Sequence, residues 1–457
     1  MKILKYFTIS LLASLFITAC SDEDASNASM AINKVYLEDV KSSVPDREVT
    51  FARLGQLIRI EGSGFTGLKK IYINGYETYF NNALLTDKNV WVTLNQNTPV
   101  STASEDVRNT ITFVKDNGTC TYSFIIRSAS PSISSISCTL PQPGETVIVK
   151  GSNLEETSEV TLPGGVVVNE ITNDEDGKWF SFVMPSGVAE GGSLTSTGAN
   201  GTAISAPNFN DNSCYIINFD GNGTQGTWSA TLQTSDLVED PLNSGRGKVA
   251  MLIPESIGTV KAGTSSIKGY WTAGNDDPDD DWSRMTKFIP ATTPADSIAL
   301  QFDIYCPQPW DKSGQLEITL QNNLSNYGWQ SACTRHSDEY INQACAWVPW
   351  MDRETGELTG PFQTSGWQTV TIPLSWFGNY TGEYASTPFS KIIADKNAGS
   401  YRNFGFLFCN SDVDFDGDAS TENDITPSQA FNLPIYLDNF RIVRIGGKSV
   451  SDYPEEK

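Results

Sequence analysis

Apolar and polar side chains take turns along several stretches of this chain. In IALQFDIYC, residues 298–306, Leu300, Phe302, Ile304 and Cys306 fall on one side. In GQLEITLQN, Leu316, Ile318 and Leu320 oppose Glu317, Thr319 and Gln321. A period of two puts neighbouring side chains on opposite faces of a pleated strand, so each run predicts a half-buried β-strand. NFGFLFC and IYLDNFRIV repeat the pattern nearer the C-terminus. Helical spacing is scarce, and Gly, Pro, Asn and Asp punctuate the runs throughout, which predicts an all-β protein.

Two stretches share one layout. IRIEGSGF (residues 58–65) and VIVKGSNL (residues 147–154) each read strand, Gly-Ser, polar turn, next strand. The first continues to Asn74-Gly75, a dipeptide suited to a tight hairpin turn. This internal repeat divides the chain into a small sandwich over 31–128, a second over 129–207, and a larger unit over 208–447 with a tail at 448–457. The paired strand–turn motif resembles the IPT/TIG immunoglobulin-like fold, whose small sandwiches act as spacers. Lone tryptophans in strand settings, Trp91 and Trp179, are expected to pack in cores or between sheets. The alternating strands of 208–447 fit a jelly-roll-like double sheet.

The first twenty residues carry Lys2 and Lys5, an apolar run from Ile9 to Ala19, and then Cys20. This is the layout of a secretory signal, too short to span a bilayer. Ile17-Thr18-Ala19-Cys20 resembles a bacterial lipobox, which implies acylation of Cys20. Residues 21–30, opening SDEDASNAS, read as an acidic tether resembling the surface-export signal of Bacteroidetes lipoproteins. The expected location is therefore the outer-membrane surface, with the membrane touched only through lipid. Without the signal the net charge is −25. Such a surface repels phosphates and argues against nucleic acid, whereas a neutral ligand meets no such barrier.

Nine of the eleven tryptophans lie in 208–447, and several depart from the strand pattern. Trp310 in CPQPWDKSG, Tyr327 and Trp329 in NYGWQSACTRH, and Trp347 and Trp350 in CAWVPWMDRETG occupy Pro-, Gly- or Asn-rich segments. Proline restricts such a loop in advance, so its rings lose little entropy on binding. An indole face matches the C–H face of a pyranose. Each stacked sugar contributes roughly 1–2 kcal/mol, and three rings give ~4 kcal/mol, near millimolar affinity. These five residues are the candidate glycan contacts. Trp228, Trp367 and Trp376 read as structural, and Trp271 and Trp282 suit either role.

Other chemistry is sparse. Asp412, Asp414, Asp416 and Asp418, in NSDVDFDGDASTEND, suit either a calcium loop or a solvated acidic turn; Asn423 stands where an EF-hand has Glu. No cofactor is required, and calcium is at most structural. The single histidine, His336, excludes mechanisms that need two. No E-x-D-x-x-E strand of the jelly-roll glucanase kind occurs, so hydrolysis by a carboxylate pair is the lesser reading. Cys306 and Cys409 read as buried small hydrophobes, and Cys333 and Cys345 bracket a loop that a disulfide could close.

The stretch from CPQPWDKSGQLEITLQN through CAWVPWMDRETGELTGPFQTSGWQTVTIPLSWF to IYLDNFRIV resembles the C-terminal domain of Bacteroidetes surface glycan-binding proteins. That resemblance implies a lipid anchor, tandem IPT/TIG modules, a distal platform of loop aromatics on Trp310, Trp347 and Trp350, and a SusC/SusD-like transporter as partner. The implied ligand is a neutral polysaccharide of the β-glucan class, xyloglucan or mixed-linkage glucan among them. A surface adhesion or protein-interaction scaffold is the alternative class of function, and a surface glycoside hydrolase the third.

Overall fold

The computed structural model describes residues 29–38, 46–221, 223, 232–252, 259–272, 278–320, 344–398, 402–415 and 425–446. Its described residues form two compact units divided after Ala129. Cys20 of the lipobox lies outside the described residues, as do Tyr327, Trp329, Cys333, His336, Asp416 and Asp418.

In the first unit, Leu57–Ser63 alternates so that Ile58 and Ile60 point inward and Arg59 and Glu61 outward. It pairs antiparallel with Ala31–Leu37 and Asn89–Thr93, and Arg47–Glu48 closes one edge. The opposing sheet orders Tyr76–Thr78, Lys70–Ile73, Thr110–Lys115 and Gly118–Ser123. Ile71, Ile73, Ile111 and Phe113 from it meet Ile58, Ile60, Val90 and Val92 in one core. The Asn74-Gly75 hairpin forms as expected, with φ of 50° and 78° at the two turn residues.

The repeat has a physical cause. A Cβ on Gly62 would lie 2.0 Å from the Ala31 carbonyl oxygen and 2.5 Å from the Phe65 ring. In the second small sandwich a Cβ on Gly151 would lie 1.8 Å from the Ser132 carbonyl oxygen and 2.9 Å from Leu154. Both glycines let a neighbouring strand and the following Phe or Leu close over the same spot. That second sandwich pairs Ser132–Ile136, Thr146–Ser152, Trp179–Val183 and Ile171–Asn173 in one sheet. Its other sheet orders Val167–Val168, Thr157–Thr161, Thr195–Gly198 and Gly201–Ile204. Trp91 and Trp179 correct the expectation of core packing. Both stand half-buried on outer sheet faces, because the residues beside them, Val90, Val92 and Phe180, take the inward positions.

The larger sandwich has one sheet ordered Leu237–Glu239, Lys248–Met251, Tyr436–Arg444, Ile298–Tyr305 and Gln368–Pro373, with Tyr215–Ile217 also on Tyr436–Arg444. The facing sheet runs Thr264–Trp271, Gly405–Asn410, Gln315–Thr319 and Ala344–Trp347. Phe302, Phe406 and Phe440 fill the space between, with Phe406 and Phe440 stacked at 4.8 Å. A helix unforeseen in the sequence, Phe389–Ala398, buries Phe389, Ile392 and Ile393. Lys396 on it is sealed beside the Trp282 ring, donates to the Arg402 carbonyl, and lies 4.0 Å from Asp280. No helix among the described residues is long and apolar enough to cross a membrane.

The second small sandwich and the larger one belong to the same compact unit, and a buried polar network joins them. Arg246 donates to Asp303 at 2.8 Å, to the Leu140 carbonyl at 3.0 Å and to Glu145 at 3.1 Å. Asp303 also accepts from Thr369 at 2.7 Å and Asn439 at 2.9 Å. Arg441 binds Gln301 and Thr139, while the Thr139 N–H reaches the Thr369 hydroxyl at 2.9 Å. Burial, with Asp303 opposite, raises the Asp438 carboxyl well above its ordinary range against the pull of Arg246.

Removing one partner of such a pair strands the other charge away from water. Arg246→Met should therefore destabilise the chain by about 3–5 kcal/mol in urea unfolding. Lys178→Met, which breaks only an exposed pair with Asp176, should leave the midpoint unchanged. Equal midpoints for the two variants would contradict this account.

Burial also depresses Lys396 from 10.5 to about 8, partly offset by Asp280. The fold thus favours the neutral amine, and its contribution is present above 10.5 and lost as pH falls through about 8. The stability of the wild type relative to Lys396→Met should rise between about pH 8 and 10.5, the range between these two values. A difference that stays flat with pH would refute the assignment.

Candidate functional site

Trp310 and Trp350 are not presented to solvent. Their relative exposures are 0% and 1%, which corrects the expectation of an exposed platform at these two positions. Both indoles close on one turn: Trp350 Nε1–H donates to the Gly314 carbonyl at 3.1 Å, and Trp310 Nε1–H donates to that of Ser313. The turn is itself constrained, with positive φ at Lys312 and Gly314, and a Cβ on Gly314 would meet the Phe408 ring at 2.4 Å. The backbone of Trp310 exchanges two 2.8 Å hydrogen bonds with Phe362, so this segment is an extended bridge rather than a free loop. The buried large ring and its satisfied N–H make each tryptophan a core residue.

Trp347 differs. It ends the strand Ala344–Trp347 and is half-buried. Phe302, Trp310 and Phe362 meet it nearly edge-on, at 5.6, 5.8 and 5.5 Å. The CAWVPWMD segment is therefore a strand followed by a turn that seals the sandwich. Beyond it, Asp352 accepts from the N–H groups of Glu354 and Thr355, and the Phe415 ring lies where a side chain on Gly356 would go.

Arg353 runs from this turn to a second half-buried ring. It donates to the Trp376 carbonyl at 2.9 Å, contacts the Ala346 carbonyl at 3.5 Å and lies 4.8 Å from the Trp376 ring centre. Arg353 and Trp376 are in contact and half-buried, and Trp347 is a further half-buried ring of the larger sandwich. A planar cation over an indole is a contact suited to a polyol rather than to proton transfer.

Asp303 and Asp438 face one another on neighbouring strands but are 0% and 1% exposed, so no substrate oxygen reaches them. Asp412 uses its Oδ1 to accept from the Ser428 N–H at 2.8 Å and hydroxyl at 2.7 Å. Among the described residues no three His, Cys, Asp or Glu gather for a metal. Cys306 and Cys409 are buried as expected, and burial pushes the Cys306 thiol up to about 11. Cys345 is buried too. Trp367 is 5% exposed and donates to Asp240 at 3.0 Å, in line with its structural reading, and Trp282 is fully buried.

Residues 209–444 match the model of the surface glycan-binding protein B xyloglucan binding domain. The chain belongs to this family. It is also 26% identical, over 316 residues, to an IPT/TIG domain-containing protein of Bacteroides ovatus, covering 69% of this chain and 53% of that one. The chain thus spans about half the length of that curated relative. Among solved structures it is similar to the surface glycan-binding protein PbSGBP-B from Prevotella bryantii, with a TM-score of 0.60 and 19% identity over 92% of this chain and 99% of that one. SGBP-B from a complex xyloglucan utilization locus in Bacteroides uniformis aligns over 92% and 100% of the two chains, with a TM-score of 0.48 and 20% identity.

Trp350→Ala should lower the urea-unfolding free energy by about 3–5 kcal/mol, the range for truncating a sealed aromatic. An unchanged midpoint would return Trp350 to the surface.

Proposed function

We propose that this protein captures a neutral β-glucan, xyloglucan or mixed-linkage glucan, at the cell surface and delivers it to a SusC/SusD-like importer. The observation that carries this reading is the match of residues 209–444 to a xyloglucan binding domain. The acidic balance of the chain favours an uncharged polymer, and the sealing of Asp303 and Asp438 favours binding over hydrolysis. Acylation at Cys20 supplies the anchor. The ligand rings are Trp347 and, from the sequence alone, Tyr327 and Trp329; Trp310 and Trp350 are packed in the sandwich core. Weak contacts suffice where many tethered copies meet one long polymer.

Affinity electrophoresis in gels containing xyloglucan or mixed-linkage glucan, with a reducing-sugar assay alongside, tests the reading. The wild type should be retarded without releasing sugar. Trp329→Ala should lose at least about tenfold in affinity, the equivalent of one good stacking contact, with an unaltered urea midpoint. Migration unaffected by either glucan would leave the scaffold reading, and sugar release would make the protein a hydrolase.

A further inference from the structure

The first unit carries a groove of about 500 Å³ that no strand of its core requires. Its floor is the outer face of the Leu57–Ser63 and Asn89–Thr93 strands, where Leu57, Trp91 and Thr93 point away from the core. One wall is the segment after Tyr76–Thr78, which bridges back to the sheet through Phe80 and Val92. From that wall Tyr79 and Leu84 project, 82% and 54% exposed, and Leu57 on the floor is 39% exposed. Three of the eleven large apolar residues exposed among the described residues thus converge on one groove. Gathering of this kind marks a contact surface more than scattered exposure does.

The polar lining is of one kind. Asn81, Asn95 and Gln96 supply carboxamides, and among the described residues that line the groove only the Tyr79 phenol is ionisable. The Oδ1 atoms of Asn81 and Asn95 accept from the N–H of Ala83 and Asn97, each at 2.9 Å, which orients both amides and leaves their NH₂ groups as donors. Glu38 accepts from Trp91 Nε1–H at 3.3 Å and from Arg59 at 3.2 Å, fixing the indole on the sheet. Glu38 shares Arg59 with Asp46 and Glu61 and stands outside the lining of the groove.

The repeat shows that the fold does not need this indole. Trp91 pairs with Arg59, three residues before Gly62; in the second small sandwich the residue three before Gly151 is Ile148, which pairs with Ser181. A serine occupies the corresponding place there, in the same strand order. Tyr79 makes still less contact with the core.

We propose that this groove is a second binding site for a neutral β-linked glucan, in the first unit and separate from residues 209–444. Tyr79 and Trp91 take the apolar C–H faces of the sugar rings, and Asn81, Asn95 and Gln96 donate to the equatorial hydroxyls along their edges. An uncharged lining in a chain of net charge −23 selects an uncharged ligand, and rings beside amides select a polyol over an apolar peptide. The choice of β-glucan rests on the function proposed above, whereas the location of the site does not.

Full-length protein labelled with 5-fluorotryptophan, with the Trp91 resonance assigned through Trp91→Phe, provides the test by fluorine NMR. Cellohexaose and a xyloglucan oligosaccharide are titrated to about ten millimolar and beyond, the range expected of a two-ring site. The Trp91 resonance should move saturably, and Tyr79→Ala should weaken that titration about tenfold while leaving the urea midpoint unchanged. If other tryptophan resonances respond and Trp91 does not, this proposal falls and the function proposed for 209–444 stands. If Trp91 alone responds, the groove binds and the reading of 209–444 falls. A Trp91 shift that follows protein concentration and ignores glucan would make the groove a self-association surface and overturn the proposal.

Discussion

Arg246 and Asp303 meet with neither side chain exposed, and the relation between the second small sandwich and the larger one depends on that meeting. Each charge alone in such surroundings would cost several kcal/mol, so the pair persists only with its remaining hydrogen bonds satisfied. The partners come from both sandwiches: Leu140 and Glu145 on one side, Thr369 and Asn439 on the other. The network therefore fixes register between the two more than it adds attraction. It also consumes the outer face of the sheet that holds Ile298–Tyr305, where Gln301, Asp303 and Arg441 would otherwise meet solvent. A ligand of the larger sandwich must use another face, and the half-buried side chains of Trp347, Arg353 and Trp376 are free of this constraint.

Much of the fold was legible because alternation and glycine have local causes. The pattern of Leu57–Ser63 survives into the structure residue by residue, and Gly62 and Gly151 mark the same close approach of backbone. The tryptophan segments were not legible in this way. Ala344–Trp347 is almost wholly buried, so burial does not alternate along it and a short apolar strand resembles an aromatic loop. Proline precedes both Trp310 and Trp350, a composition that buried turns share with exposed loops. In the structure Pro349 merely opens the turn that sends Trp350 inward. The helix Phe389–Ala398 carries only three apolar positions at helical spacing, Phe389, Ile392 and Ile393, within one ten-residue run, a signal too short to stand out among strand patterns.

Tryptophan shows what a sequence leaves open. Trp91 and Trp350 both sit in short apolar runs, and both indole N–H groups find an acceptor. What separates them is the partner of the neighbouring residues. Val90 and Val92 take the core beneath Trp91, so the indole is left on the outer face; Trp350 lies in a turn, where it is buried together with Val348 and Met351 and closes on the 312–314 turn. The role of the ring follows from who else fills the core, which is information held by the three-dimensional packing.

The internal charges bear on what the surface can meet. Among the described residues five basic side chains are buried, Arg53, Lys115, Arg246, Lys396 and Arg441, against five acidic ones, Asp240, Asp280, Asp303, Glu317 and Asp438. They cancel formally, so burial does not relieve the net charge of −23 and the surface carries the excess. A field of that sign disfavours polyanions at every approach and leaves neutral polymers untouched. Affinity for such a polymer must then come from ring stacking and hydrogen bonds alone. Those forces are short in range and weak per sugar, so a second patch of rings and amides increases capture where one more charge would not.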